Sequence, residues 1–248
     1  MKHQVESVAS ERGAVRMRTK SILLTLLVML AAACGSEPSE KPDRPTKTLP
    51  ALRGEASAPE DLQHDMDRAA AVSNNFWIDH WAEFFTGTYS SPVIHGLYDG
   101  NDPNRPSCGN DKLLANNAHY CSEGDFVAWD VGLMQKGYEL GDAWVYLIIA
   151  HEWGHAIQAR LDVSLHSLSA ELQADCLAGA IIYGSAKDKT LIFETGDEKE
   201  LVRGLSEVAD ETPWTDERDH GDAFERVDAF REGRDGGVPA CLPREVTD

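Results

Sequence analysis

Basic side chains are scarce in this chain. Only 23 Lys and Arg stand against 42 Asp and Glu among 248 residues, a formal net charge of -19. That deficit removes the basic footprint that nucleic acid requires and the polybasic patch that grips anionic lipid. Long apolar runs are scarce too. The single one, Ile22–Ala33, has twelve residues, short of the ~20 that span a bilayer. No Cys-x-x-Cys pair, EF-hand spacing or internal repeat occurs, which argues against a cysteine-bound zinc and an EF-hand calcium loop. Hydrophobic residues make up 42% of the chain, enough for a real core, and the length suggests one domain, at most two.

The apolar run follows Arg18 and Lys20 and ends in Leu30-Ala31-Ala32-Ala33-Cys34. A positive flank, a short apolar stretch and small residues before a cut point read as a secretory signal peptide over residues 1–33. The cut point resembles the lipobox of bacterial lipoproteins. That resemblance implies a lipid on Cys34, export, and anchoring to the outer membrane or the outer face of the cytoplasmic membrane. Removal of residues 1–33, with five basic and two acidic groups, leaves 18 against 40, a charge of -22. Residues 34–59 hold Pro38, Pro42, Pro45, Pro50 and Pro59 among polar residues and read as a tether. A flexible coil of ~25 residues spans roughly 28 Å, enough to hold a domain off a membrane.

Residues 60–248 are expected to form the folded domain, of α+β class and mostly helical. Helical periodicity covers Asp61–Phe85, with Gly87 as its stop. Strands are expected at Pro92–Tyr98, Asn117–Cys121 and Asp125–Asp130, the last two joined through Ser122-Glu123-Gly124. Turn chemistry fills Asp99–Gly109. Helices are expected at Asp142–Leu161, Leu168–Ala186, more weakly Lys189–Gly204, and Asp222–Glu232. Glu207–Asp235 carries eleven acids and four bases and reads as a solvated face.

The centre of interest is His151-Glu152-Trp153-Gly154-His155, inside the apolar stretch Ala143–Leu161 with Asp142 as candidate N-cap. Residues four apart stack on one helical face, so both imidazoles can reach one ion. Glu152, offset by about 100°, can address a water on that ion. This is the HExxH zinc-hydrolase arrangement. Two histidines and a carboxylate in an otherwise apolar helix are hard to satisfy without a metal. Gly154 costs ~1 kcal/mol against Ala in a helix, which suggests close approach of another helix or of the ion site.

A catalytic zinc takes three protein ligands and keeps one position open. The third ligand is expected to be Glu171, with His166 as the alternative. The metzincin spacing fails, because Gln158 and Leu161 stand where it requires Gly and His. Asp175, one turn beyond Glu171, is placed to hold a histidine N–H.

AHEWGHAIQARL (150–161) and ELQADCLAG (171–179) closely resemble the bacterial neutral zinc metallopeptidase family. NAHYCSEGDFVAWD (117–130), SCG (107–109) and HGDAFERVDAF (220–230) extend the likeness over most of Trp77–Cys241. The resemblance implies a zincin-like, gluzincin-like fold with a small sheet beside the HExxH helix. It implies one Zn2+ on His151, His155 and Glu171, with Glu152 as the catalytic acid/base. Glu152 would take a proton from the attacking water and return it to the leaving amine. For the oxyanion, His220 is the first candidate donor, ahead of Tyr183 and Arg226. Substrate would be a peptide or protein, and Asp125–Asp130 is expected as the edge strand it pairs with.

With Cys34 lipidated, four cysteines remain for disulfides in an oxidising compartment. Three connectivities exist; the expected pairs are Cys108–Cys121 and Cys176–Cys241. The leading expectation is therefore a lipid-anchored zinc metallopeptidase of the cell envelope. A non-catalytic zinc-containing scaffold or assembly factor and a zinc amidase on non-protein amides are the alternatives.

Overall fold

A computed structural model describes residues 58–243, apart from 168, 212, 214 and 216–218. The signal peptide, Cys34 and nearly all of the tether lie outside the described residues. Helix α1 spans Glu60–Phe84, followed by β1 (Val93–Tyr98), β2 (Ser107–Cys108), β3 (Asp111–Lys112), β4 (Ala118–Cys121) and β5 (Phe126–Asp130). Helices α2 (Val131–Tyr138), α3 (Ala143–Gln158), α4 (Ala170–Lys187), α5 (Asp197–Glu207) and α6 (Ala223–Gly236) complete the α+β fold, with short 3-10 turns at Val163–Leu165 and Val238–Cys241.

The local sequence explains most of these elements. Glu60 and Asp61 oppose the positive end of α1,. Its apolar stripe buries Leu62, Met66, Ala69, Phe76, Trp77 and Trp81,. Ser169 caps α4 by accepting from the Leu172 N–H,. Asp222 and Glu225 form a reciprocal capping box at the start of α6,.

Helix α3 is the hub. All of its sixteen residues except His155 are buried, and α1 and α4 pack against it. Gly154 is the point of closest approach: a Cβ there would sit 2.8 Å from both Cα and O of Ala174. The helix–helix contact inferred for this glycine is therefore real. Gly233 plays the same part between α6 and α4, where a Cβ would collide with the Cys176 carbonyl.

Two local readings differ from the structure, and one helix was not expected. Asp142 makes no side-chain cap on α3; Glu200 reaches in from α5 instead, its Oε2 3.4 Å from the Ala143 N–H. Helix α2 begins directly where β5 ends, started by Asp130, which accepts from Leu133 N. The expected helix over Lys189–Gly204 starts only at Asp197, because Lys189 (φ 65°) and Gly196 (φ 128°) interrupt it.

The main sheet has the order β1-β5-β4, with β1 parallel and β4 antiparallel to β5. The hairpin between β4 and β5 matches the reading of the sequence. The choice of edge strand does not. β5 is central and buried along all five residues, as a strand covered on both faces must be. Among the described residues the edge strands of this sheet are β1 and β4, and it is β4 that lines the cleft described below.

Both expected disulfides are present, Cys108–Cys121 and Cys176–Cys241. The first ties the β2–β3 hairpin to the end of β4, and the second ties α4 to the C-terminal 3-10 turn. Two disulfides suit an oxidising, extracytoplasmic compartment. Among the described residues no helix is long and apolar enough to cross a membrane.

Candidate metal centre

The cleft-facing stripe of α3 reads Trp144, Ile148, Glu152 and His155, successive turns of one face, with His151 beside it,. Helix α4 runs alongside and delivers Glu171 from its first turn. The Nε2 atoms of His151 and His155 lie 3.1 Å apart. Glu171 places Oε2 3.2 Å from His151 Nε2 and Oε1 3.4 Å from His155 Nε2. Zinc–ligand bonds of about 2.0–2.1 Å in a tetrahedron set ligand atoms roughly 3.3–3.4 Å apart. Two imidazoles and one carboxylate at these separations fit one zinc ion. His166, the alternative third ligand, lines a separate pocket between the 163–165 turn and α6 and has no place in this group.

Asp175 sits where the sequence placed it, fully buried, with Oδ1 2.8 Å from His151 Nδ1. A carboxylate accepts only, so His151 carries its proton on Nδ1 and turns the Nε2 lone pair toward the centre. Burial works against protonation of that Nε2, but Asp175 and then Glu171 outweigh it and push the metal-free imidazole up to about 10. Burial likewise works against the Glu171 charge, yet the two imidazoles hold this carboxyl far below the usual carboxylate range.

Arg226 was a candidate oxyanion donor, and the structure gives its guanidinium other work. Nε and Nη2 both donate to Asp175, at 2.7 and 2.9 Å, and Nη1 donates to the Val208 carbonyl at 2.8 Å. It buttresses the carboxylate that orients His151. Tyr183 is not at the cleft: its hydroxyl faces Glu198 and its ring packs on Phe193. His220 does line the cleft, half-exposed, with its backbone N–H donating to Asp210 at 2.7 Å and its ring Nδ1 3.7 Å from the same carboxylate.

The cleft has a volume of about 930 Å³. Glu152 lines it, only 7% exposed, and among the described residues its carboxylate makes no hydrogen bond or ion pair. A buried carboxylate left open to a cleft in this way calls for a water or ligand. One wall is the free edge of β4, with Asn116 and Asn117 leading into Ala118, His119 and Tyr120. Another part of the lining is mostly apolar: Leu133, Gly137 and Leu140 of the α2 region and Trp144 and Ile148 of α3, with Lys136 among them. Arg160, just past α3, holds the β4 wall in place. Its Nη2 bonds both oxygens of Asp125 at 2.7 and 2.9 Å, and the Tyr120 hydroxyl donates to the same carboxylate.

A second acidic group, Asp142, Asp197 and Glu200, gathers where α3 and α5 begin. Glu200 and Asp197 accept from the Ala143 and Glu194 N–H groups there, which accounts for acids at two helix N-termini.

No family model, curated protein or solved structure matches this chain. The resemblance to the neutral zinc metallopeptidases therefore rests on the motifs themselves.

Proposed function

We propose that this chain is a zinc-dependent peptidase, with His151, His155 and Glu171 holding the metal and Glu152 carrying protons. The observation that supports it most is the pairing of Glu152, buried and without a hydrogen-bond partner among the described residues, with a three-residue donor set of zinc-like spacing in the same cleft. Bound zinc supplies Lewis acidity for the scissile carbonyl and lowers the pKa of water in its open position. Glu152 accepts a proton from the attacking water and delivers it to the departing amine. Asp175 and Arg226 keep His151 oriented through that cycle. His220 is the proposed donor to the oxyanion, its imidazole presented to the cleft beside Asp210.

An extended peptide suits the cleft better than a compact substrate. The free edge of β4 offers backbone groups for pairing, as β-augmentation requires. The apolar wall one helical turn from Glu152 favours a bulky aliphatic or aromatic side chain next to the scissile bond. The lipobox-like Leu30–Cys34 segment supports export and anchoring through a lipid on Cys34, which would make this an envelope peptidase. A zinc scaffold or assembly factor needs the ligands but has no use for Glu152.

The test is cleavage of a mixed peptide library by the purified protein, read by mass spectrometry. We expect cleavage that stops on chelation, returns with Zn2+, and clusters beside large apolar residues. Cleavage indifferent to chelator would overturn the reading.

A further inference from the structure

Unlike His151, whose Nδ1 faces Asp175, His155 has no carboxylate at its Nδ1. Its Nδ1 lies 2.9 Å from Oε1 of Gln158, and the chain of contacts continues. Gln158 Nε2 donates to the Ala170 carbonyl at 2.6 Å and to Gln173 Oε1 at 3.2 Å. Gln173 Oε1 also accepts from the Ser167 N–H at 3.2 Å. Gln173 Nε2 donates to the carbonyls of Leu165 and Cys241, at 2.8 and 3.0 Å. Both glutamines are buried, 7% and 3% exposed.

The direction of this chain is set by its fixed ends. Backbone carbonyls only accept and a backbone N–H only donates. The Leu165 and Cys241 carbonyls therefore require the amide nitrogen of Gln173 on their side, which turns its oxygen toward Ser167 and Gln158. The Ala170 carbonyl and that oxygen together require the nitrogen of Gln158, which leaves its oxygen for His155. Rotating either amide would set acceptor against acceptor in a buried place, a cost on the order of 1–3 kcal/mol per unsatisfied group.

We propose that Gln158 and Gln173 form a relay that positions His155 as a metal ligand. The relay fixes the ring proton on Nδ1 and directs the Nε2 lone pair at the point shared with His151 Nε2 and Glu171. Gln158 and Gln173 are positioning residues: neither touches the ion or the substrate. The relay starts from the backbone of Cys241, whose disulfide partner Cys176 follows Asp175. The outer supports of both histidines thus meet at one cross-link between α4 and the C-terminal turn.

This inference rests on the metal-centre reading, and the experiment separates the two. Zn2+ affinity of the full folded domain is measured by competition with a chromophoric chelator, for the wild type, Gln158→Leu and Gln173→Leu. The His155 Nδ1–H signal of the zinc-loaded protein is followed by nitrogen-edited NMR. We expect the wild type to bind one Zn2+ and to show a slowly exchanging Nδ1–H. Gln158→Leu should weaken Zn2+ binding by about 10–100-fold and lose that signal. Gln173→Leu, which leaves Gln158 its Ala170 anchor, should weaken it by about tenfold, the lower end of that range. A folded Gln158→Leu with wild-type affinity and an intact Nδ1–H signal overturns the relay. Should that variant not fold, Gln173→Leu decides by the same criteria. A wild type that binds no Zn2+ overturns the metal centre and the relay with it.

Discussion

Asp175 holds His151 and Arg226 at once: Oδ1 lies 2.8 Å from His151 Nδ1, and Oδ2 lies 2.7 Å from Arg226 Nε. All three groups are buried, so the carboxylate both orients a proposed ligand and neutralises a guanidinium. Asp175→Asn keeps the shape and removes the charge. Zn2+ affinity should fall by about 10–100-fold. Stability should drop by ~3–5 kcal/mol, because Arg226 is left buried without its counter-charge. Chelator competition and urea denaturation measure the two effects separately.

Gly154 links helix packing to the site. It separates Glu152 from His155 on α3, and its missing side chain lets Ala174 of α4 approach. Gly154→Ala improves helix propensity by ~1 kcal/mol, but the new methyl meets backbone atoms that cannot swing aside. Overpacking costs of ~1–3 kcal/mol should win. The displaced α4 would carry Glu171 away from the histidines. Thermal melting should show a net loss of stability, with weaker Zn2+ binding in the same protein.

The Asp142, Asp197 and Glu200 group gives a pH-dependent prediction. Burial pushes the Asp197 carboxyl up to about 6, and the charges of Asp142 and Glu200 add to the rise. A carboxyl with a raised folded pKa favours folding when protonated. Its cost therefore appears as pH rises above the unfolded value of 3.8 and is fully present above about 6,. Asp197→Asn keeps an acceptor for the Glu194 N–H and removes the charge. The variant should melt above the wild type at pH 7.5, with that advantage shrinking toward pH 4. Melting curves across the range check the sign.

Much of the centre was legible because it is local. The apolar run Ala143–Ile149 declared a buried helix, and four-residue spacing put His151 and His155 on one face. Glu171 and Asp175 repeat that spacing among apolar neighbours. The helix from Asp222 and the strands before and after Ser122-Glu123-Gly124 were equally local. What sequence did not reveal depends on contacts across the chain. Strand order placed β5 between β1 and β4 through a parallel pairing with a distant segment, so β5 is not the edge strand expected. Helix α2 follows β5 without a turn signal and contains two glycines, which weakens its pattern. Arg226 looked like a free donor until Asp175 and the Val208 carbonyl were found to occupy it. The amides of Gln158 and Gln173 carry no sequence signal, since their meaning lies in which backbone groups they meet.

The central claim is that Glu152 transfers protons beside a zinc held by His151, His155 and Glu171. Glu152→Gln preserves size and leaves the ligands untouched. The deciding measurement is the turnover of a cleaved peptide by wild type and Glu152→Gln, each verified to hold the same amount of zinc. We expect equal zinc content and a loss of turnover on the order of 10²–10⁴-fold in the variant. Equal turnover at equal zinc content would contradict the claim.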